Sequence, residues 1–215
     1  MNRVLGWLAL FGLGAGLVMG FGVAPRELTQ GNVQRIMYLH VPTVLVAYLA
    51  FAVVFVASIA YLWRRDAGAD RLAHASAEVG VLFTGLTIAA GAIWGKPTWG
   101  TWWTWDARLT SVAILFVMYL GYLLLRGMIE DGERAARYSA VLGIIAALDV
   151  PLVHFSVYWW RTLHQPPSML RPGPVTMPPT IVAALLVNIV AWALLYTYFV
   201  AKRVTLLRRE EEALA

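Results

Sequence analysis

The stretch Trp94–Arg108, WGKPTWGTWWTWDAR, decides how the rest of the chain is interpreted. It holds five of the ten tryptophans in the 215-residue sequence, namely Trp94, Trp99, Trp102, Trp103 and Trp105. Because it joins two strongly apolar segments, we expect it at a membrane surface rather than inside a soluble core. Lys96, Pro97 and Gly100 predict a turn that ends the preceding helix.

Two arrangements of these tryptophans are open. If a helix begins near Thr98, then Trp99, either Trp102 or Trp103, and Asp106 share one face, which would present a flat wall of indoles with a carboxylate at one end. The alternative is an aromatic belt, since tryptophan is enriched at both membrane interfaces. A belt needs only about one or two indoles per helix end, so this density favours a surface that binds a large, planar, apolar ligand.

The composition is that of an integral membrane protein. The mean hydropathy is +0.67, and 13% of the residues are charged, against about 25% in soluble domains. The net charge of +5 does not indicate nucleic-acid binding, because the basic residues lie in short segments beside apolar runs. The chain has no cysteine, which excludes disulfides, thiolate metal sites and thiol catalysis.

Six apolar runs predict an all-α integral membrane protein with six transmembrane helices in a single domain, residues 1–215. Several of the runs reach the roughly 20 residues that cross a bilayer. The predicted spans are residues 4–23, 41–63, 77–93, 109–125, 140–160 and 181–200. The stretch 94–108 then connects the third span to the fourth. The connection 161–179 holds six of the ten prolines and is predicted to be an irregular loop.

The distribution of basic residues predicts the orientation. With six spans, the N-terminus, the second and fourth loops and the C-terminal tail hold 11 of the 17 Lys and Arg residues, and the other loops hold 6. The richer side faces the cytoplasm. We therefore expect both termini in the cytoplasm and the tryptophan stretch, as an amphipathic helix or loop, on the outer side.

Three of the four histidines are predicted on the outer side. His40 lies at the start of the second span, and His164 lies in the fifth loop. His154 lies six residues inside Trp160, about 9 Å along a helix axis. A titratable residue at that depth indicates a functional site, and a histidine hydrogen-bonded between helices is the alternative. His74 is placed in a cytoplasmic loop, where we expect a solvated surface role.

This pattern favours haem over a bare metal ion. Zinc or copper needs three or four close ligands, and neither His40 nor His154 has a second histidine at i+3 or i+4. Haem iron needs only two protein ligands, with an aromatic wall for the ring and cations for two propionates. Arg35 and Arg108 are the predicted propionate partners, because guanidinium binds a carboxylate bidentately, with Lys96 in reserve.

The carboxylates near this region are few. Asp149 is interpreted as the one clear charge within a span; we expect a structural role, and polarising a ligand through water is the alternative. Asp106 is expected to cap or brace the tryptophan stretch. No general acid or base is apparent, so the chain is predicted to hold a ligand rather than to act as a conventional enzyme.

The motif WGTWWTWD at 99–106 resembles the signature of the WWD family of haem-handling membrane proteins, which includes the cytochrome c maturation proteins C and F. Further similarity lies in RIMYLHVP around His40, in WDARLTS after the tryptophans, and in VHFSVYWWRTLHQP around His154. The short length and six spans are similar to the haem exporter protein C (CcmC) family. The resemblance covers residues 31–166.

The resemblance implies a function and a site. It implies that haem b (iron protoporphyrin IX) is held against the tryptophans on the periplasmic face of the bacterial inner membrane, with His40 and His154 as axial ligands. It also implies transfer to the periplasmic haem chaperone CcmE during c-type cytochrome biogenesis, a haem lyase-like activity, with CcmA, CcmB and CcmD as partners. The implied haem-binding residues are His40, His154, Trp94, Trp99, Trp102, Trp103, Trp105, Asp106, Arg35 and Arg108.

Two other functions stay open. The first is a b-type haem subunit for electron transfer, against which stands the absence of any predicted helix with two histidines. The second is a subunit of a small-solute transporter that uses the tryptophans only as anchors. The near absence of predicted charge within the spans stands against it.

Overall fold

The computed structural model describes residues 2–166 and 177–214. Over these ranges the chain is largely helical and contains no β-strand. Six helical segments are long and apolar enough to cross a membrane, and α5 and α6 together form the fifth. The predicted all-α membrane protein with six spanning helices is confirmed. The helices are α1 Asn2–Leu17, which continues as a π-helix over Val18–Val23, α2 Met37–Arg64, α3 Ala67–Trp99, α4 Ala107–Met128, α5 Gly132–Ala147, α6 Asp149–Trp159 and α7 Pro179–Leu214.

The helices extend beyond the apolar runs that predicted them. α3 begins at Ala67 rather than near position 77, because Asp66 caps it by accepting hydrogen bonds from the N–H groups of Gly68 (3.1 Å) and Ala69 (3.0 Å). Hydropathy marks only the part of a helix that faces lipid, whereas the cap marks where the helix begins. Of the predicted irregular loop 161–179, residues 167–176 lie outside the described ranges.

The predicted turn at Lys96 and Pro97 is wrong. α3 continues through Trp99 and ends at Gly100, whose φ of 79° lies in the left-handed region that favours glycine. The Gly100 N–H donates to the Lys96 carbonyl at 3.0 Å. Pro97 lacks the N–H that would donate to the Ile93 carbonyl but does not end the helix, and α2 likewise continues through Pro42.

Of the two forms considered for the tryptophan stretch, the structure has the loop and not a helix from Thr98 through Asp106. Residues 101–105 are irregular, and Asp106 is the residue before the first turn of α4. The tryptophans after Gly100 therefore do not share one helical face.

The fifth span is interrupted at Leu148, which lies in a turn between α5 and α6. The physical cause is Pro151, because proline donates no hydrogen bond and its ring clashes with the carbonyl four residues earlier. The Leu148 N–H instead donates to the Ile145 carbonyl at 3.2 Å. Asp149 thus lies in the first turn of α6, where the helix dipole stabilises a negative charge. Its buried Oδ2 has no hydrogen-bond partner among the described residues, so its role stays a prediction.

Consecutive spanning helices run in opposite directions, and several helix pairs approach closely at small residues. Gly16 of α1 faces α7, where the Asn188 side chain donates to the Gly16 carbonyl at 3.0 Å. Gly80 of α3 faces α2, and a Cβ there would lie 2.6 Å from the Phe51 ring. Segments 24–36, 100–106 and 160–166 consequently meet at one end of the bundle, which we call the tryptophan end.

Ion pairs join helices at the opposite end. Asp70 of α3 pairs with Arg126 of α4. Glu78 of α3 accepts two hydrogen bonds from Arg203 of α7, at 2.5 and 3.0 Å. These contacts hold α3, α4 and α7 together at the end of the bundle opposite the tryptophan end.

Two predictions about the end opposite the tryptophan end are wrong. His74 lies within α3 rather than in a loop, and its Nε2 is 3.2 Å from Glu78 Oε1. Glu78 falls inside the predicted third span, so Asp149 is not the only charged residue within the predicted spans. Because Glu78 pairs with Arg203, its charge does not require a ligand.

Candidate functional site

His40 is held in one orientation at the start of α2. Its Nδ1 lies 3.1 Å from the Thr87 carbonyl, so the ring donates Nδ1–H there and keeps the Nε2 lone pair. Trp94 lies edge-on to the imidazole, with ring centroids 5.8 Å apart. Gly91 permits this approach, because an added Cβ would lie 3.0 Å from His40 Cε1. One face of α3 therefore sets both the tautomer and the position of His40.

His164 reaches the tryptophan end from the fifth loop. Its ring lies 6.0 Å from the Trp99 ring, and its Nδ1 is 2.8 Å from the Gln165 carbonyl. Burial, reinforced by the positive charge of Arg108, lowers the pKa of His164 to about 4, although the Gln165 hydrogen bond and Asp106 act in the opposite direction. The imidazole is therefore neutral at neutral pH, which is the form that ligates metals.

The structure brings His164, rather than His154, beside the tryptophans. His154 instead contacts Tyr48, with ring centroids 6.4 Å apart, and Phe155, with centroids 5.0 Å apart. Tyr48 lies eight residues after His40, about 12 Å further along the axis of α2. In the described part of the chain, no tryptophan ring packs against His154.

Arg108 is a buried cation at the centre of the site. Its side chain comes from the first turn of α4, the residue is 9% exposed, and Nη1 donates to the Val153 carbonyl at 3.3 Å. Within residues 2–166 and 177–214 it forms no ion pair. A buried guanidinium without an anion is unfavourable. Arg108 is therefore suited to binding an anionic group of a ligand.

Arg35 and Lys96 donate to backbone carbonyls. Arg35 Nη1 donates to the Phe21 carbonyl at 2.6 Å and Nη2 to the Ala24 carbonyl at 3.4 Å, which ties the end of the first span to the start of the second. Its buried Nε has no partner among the described residues. Lys96 Nζ donates to the Gly100 carbonyl at 3.0 Å and so stabilises the end of α3.

The five tryptophans form two groups. Trp94 and Trp99 lie at the C-terminal end of α3, each against a histidine ring. Trp103 packs edge-on against Trp105, with centroids 5.5 Å apart, and its buried Nε1 has no hydrogen-bond partner in the described ranges. Trp102 and Trp105 are 57% and 77% exposed. The indoles thus surround the end of α3 and the following loop instead of forming one plate.

The Asp106 carboxylate has both oxygens engaged. Oδ1 accepts hydrogen bonds from the N–H groups of Arg108 (3.0 Å) and Leu109 (2.9 Å), which caps α4. Oδ2 accepts from Thr104 Oγ1 (3.3 Å) and from the Leu163 N–H (3.1 Å). The expected cap is present, and the same side chain also joins the fifth loop to the tryptophan stretch.

Two further residues shape the site and were not predicted. Thr87 and Gly91 hold His40, and together with Trp94 they follow an i, i+4, i+7 spacing that places them on one face of α3. That spacing was present in the sequence. The sequence could not show their role, because Thr87 acts through its backbone carbonyl and Gly91 acts by having no side chain.

The donor set fits an iron porphyrin better than a bare metal ion. Among the described residues no group of three or more His, Asp or Glu side chains gathers closely enough to hold a metal ion. What the site offers is two imidazoles with Nδ1 bonded to carbonyls, a buried cation and several indoles. A porphyrin needs this combination, since it supplies four of the iron ligands itself.

The fold and this site define a multi-pass membrane protein that gathers imidazoles, indoles and a guanidinium at one end of its bundle. The family model described as Heme exporter protein C matches residues 1–215, and the chain belongs to that family, as predicted. It is 42% identical over 217 residues to the Heme exporter protein C of Bradyrhizobium diazoefficiens, which covers 99% of this chain and 82% of the relative.

Two other relatives show how widely the similarity extends. The Heme exporter protein C of Haemophilus influenzae is 42% identical over 171 residues, which are 80% of this chain and 70% of the relative. A putative cytochrome c biosynthesis ccmC-like mitochondrial protein of Marchantia polymorpha is 38% identical over 157 residues, 73% of this chain and 66% of the relative.

Proposed function

We propose that this chain binds haem at the tryptophan end and passes it to another protein during c-type cytochrome assembly. Family membership supports haem export and cytochrome c maturation as the general role. The observation that carries the chemistry is His40. Its Nδ1 is bonded to a backbone carbonyl at 3.1 Å, as in iron-ligating histidines, and this leaves Nε2 for the metal.

His40 and His164 are the proposed axial ligands, in place of the pair His40 and His154 expected from the sequence. His40 and His164 both lie at the tryptophan end, both have Nδ1 engaged with a carbonyl, and each contacts an indole at the end of α3. His154 lies deeper, beside Tyr48. We propose that it packs between helices and does not bind the iron.

Arg108 is the proposed main partner of a haem propionate. A propionate would supply the anion that this buried guanidinium lacks among the described residues. Arg35 is a second partner through its unengaged Nε. Trp94, Trp99 and Trp103 would form the apolar wall for the ring, which is haem b held without a covalent bond.

The proposed setting is the bacterial inner membrane, with both termini in the cytoplasm and the tryptophan end in the periplasm. The excess of basic residues at the opposite end supports this orientation. The proposed recipient is the haem chaperone CcmE, with CcmA, CcmB and CcmD as the membrane partners. Trp102 and Trp105, which are 57% and 77% exposed, leave an edge of the site accessible for transfer.

Absorbance spectra of the detergent-purified protein, produced with ample haem, test this proposal. We expect a six-coordinate low-spin spectrum that is lost in His40→Ala and in His164→Ala and is retained in His154→Ala. His74→Ala, at the opposite end of α3, is the matched control and should resemble the wild type. Loss in His154→Ala with retention in His164→Ala would support the pair expected from the sequence. A wild-type protein without haem would refute haem binding and favour a solute-transport role.

A further inference from the structure

We propose that Asp106 is a positioning residue for His164: its carboxylate holds the loop that carries the second axial imidazole and does not contact the porphyrin. This inference rests on the proposed haem ligation by His40 and His164. It gives the aspartate of the tryptophan motif a task separate from that of the indoles beside it.

The two carboxylate oxygens of Asp106 perform different tasks. Oδ1 caps α4 by accepting from two backbone N–H groups, those of Arg108 and Leu109. Oδ2 faces the fifth loop and accepts from the Leu163 N–H at 3.1 Å. Leu163 immediately precedes His164, so this bond restrains the backbone one residue from the proposed ligand. A carboxylate oxygen is a stronger hydrogen-bond acceptor than a neutral carbonyl oxygen.

The other hydrogen bonds of this loop segment are local. Thr162 Oγ1 donates to the His164 carbonyl at 3.0 Å, and His164 Nδ1 lies 2.8 Å from the Gln165 carbonyl. The Leu163 side chain is 45% exposed and so provides little apolar anchoring. Among the described residues, the bond from Leu163 to Asp106 is the hydrogen bond that ties segment 161–166 to another part of the fold.

The two proposed iron ligands are consequently held in different ways. His40 belongs to a long helix and is fixed by the Thr87 carbonyl and by the space at Gly91. His164 depends on a loop that one carboxylate oxygen attaches to the tryptophan stretch. Weakening that attachment should release the His164 side of the iron first, by simple ligand dissociation without a change in oxidation state.

Asp106→Asn separates the two tasks. Its amide oxygen, in place of Oδ1, can still accept from Arg108 and Leu109, whereas its NH₂ group, in place of Oδ2, cannot accept from the Leu163 N–H. We expect haem to remain bound through His40, the low-spin fraction to fall several-fold, and added imidazole to restore it. Thr104→Val is the matched control, because it removes the other partner of Oδ2 and leaves the Leu163 bond intact.

Leu163→Pro removes the same hydrogen bond from the donor side and keeps the carboxylate. It should reproduce the spectrum of Asp106→Asn and its rescue by imidazole, even if the asparagine also weakens the cap. A low-spin spectrum that is unchanged in both variants would overturn the positioning role while leaving haem binding intact. Haem loss in Asp106→Asn that imidazole does not restore, with a normal Leu163→Pro, would instead indicate direct contact with the haem. Absence of haem from the wild type would refute the proposed function itself.

Discussion

Gly91→Ala is the smallest substitution that we expect to displace an iron ligand. The added Cβ would lie 3.0 Å from Cε1 and 3.4 Å from Nδ1 of His40, against about 3.5–4.0 Å for favourable contacts. The imidazole cannot retreat freely, since its Nδ1 is already bonded to the Thr87 carbonyl at 3.1 Å. Relief of the contact therefore moves the ring and lengthens this hydrogen bond.

The magnitude follows from these two effects. Overpacking of a well-packed site costs about 1–3 kcal/mol, and a weakened neutral hydrogen bond costs up to about 1 kcal/mol more. Because each 1.4 kcal/mol is about a tenfold change in affinity, we expect the haem dissociation constant of Gly91→Ala to rise by a factor between about 5 and about 700. Alanine favours a helix by about 0.5–1 kcal/mol relative to glycine, which offsets only part of the overpacking, so the haem-free protein should melt at a somewhat lower temperature.

Haem titration of the haem-free protein, followed by absorbance, measures this effect. Gly85→Ala is the matched control on the same helix, because the nearest atom to its added Cβ is a Phe116 carbon at 3.6 Å, an ordinary contact. We expect Gly85→Ala to bind haem like the wild type. If Gly91→Ala binds haem equally tightly, or if both variants weaken binding by the same factor, the proposed placement of His40 is refuted.

Two further predictions concern pH and the opposite end. The pKa of His164 is about 4 in the folded protein and about 6.5 when unfolded, so unfolding takes up a proton between these values. The stability that neutral His164 contributes is complete above about pH 6.5 and is lost as the pH falls towards 4. The low-spin spectrum should therefore persist to about pH 5, and a midpoint near 6.5 would indicate an exposed imidazole. Glu78→Gln removes the negative charge and one of the two hydrogen bonds from Arg203, at 2.5 and 3.0 Å, and should lower the free energy of unfolding by about 1–3 kcal/mol, with haem affinity unchanged. Thermal unfolding measures the loss, and a combined Glu78→Gln and Arg203→Gln variant that loses the sum of both single effects would argue against the pair.

The helical class was predictable because a bilayer leaves few alternatives. Long apolar runs must satisfy their own backbone hydrogen bonds, so they become helices whatever their side chains. The ends were less predictable. Pro97 indicated the end of α3, yet the helix ends at Gly100. Gly100 adopts the left-handed conformation that commonly ends a helix, whereas the missing N–H of Pro97 leaves the helix intact. A cap can outweigh a proline close to a helix terminus.

The placement of His164 shows what sequence patterns do not contain. Depth within a span favoured His154, because burial of a titratable group is unfavourable without a function. The position of His164 instead depends on a hydrogen bond between Leu163 and Asp106, which are 57 residues apart. Nothing in the local sequence indicates that the fifth loop returns to the tryptophan stretch.

The interruption at Leu148 gives the fifth span a joint. The inner half, α5, is fixed to its neighbours, since Gly143 accepts a hydrogen bond from Tyr119 at 3.2 Å and lies against Val54. The outer half, the 11 residues of α6, is about 16 Å long and leads directly to the loop that bears His164. Arg108 of α4 holds this outer half through its hydrogen bond to the Val153 carbonyl at 3.3 Å, so the position of the His164 loop depends on the same guanidinium that is proposed to bind a propionate.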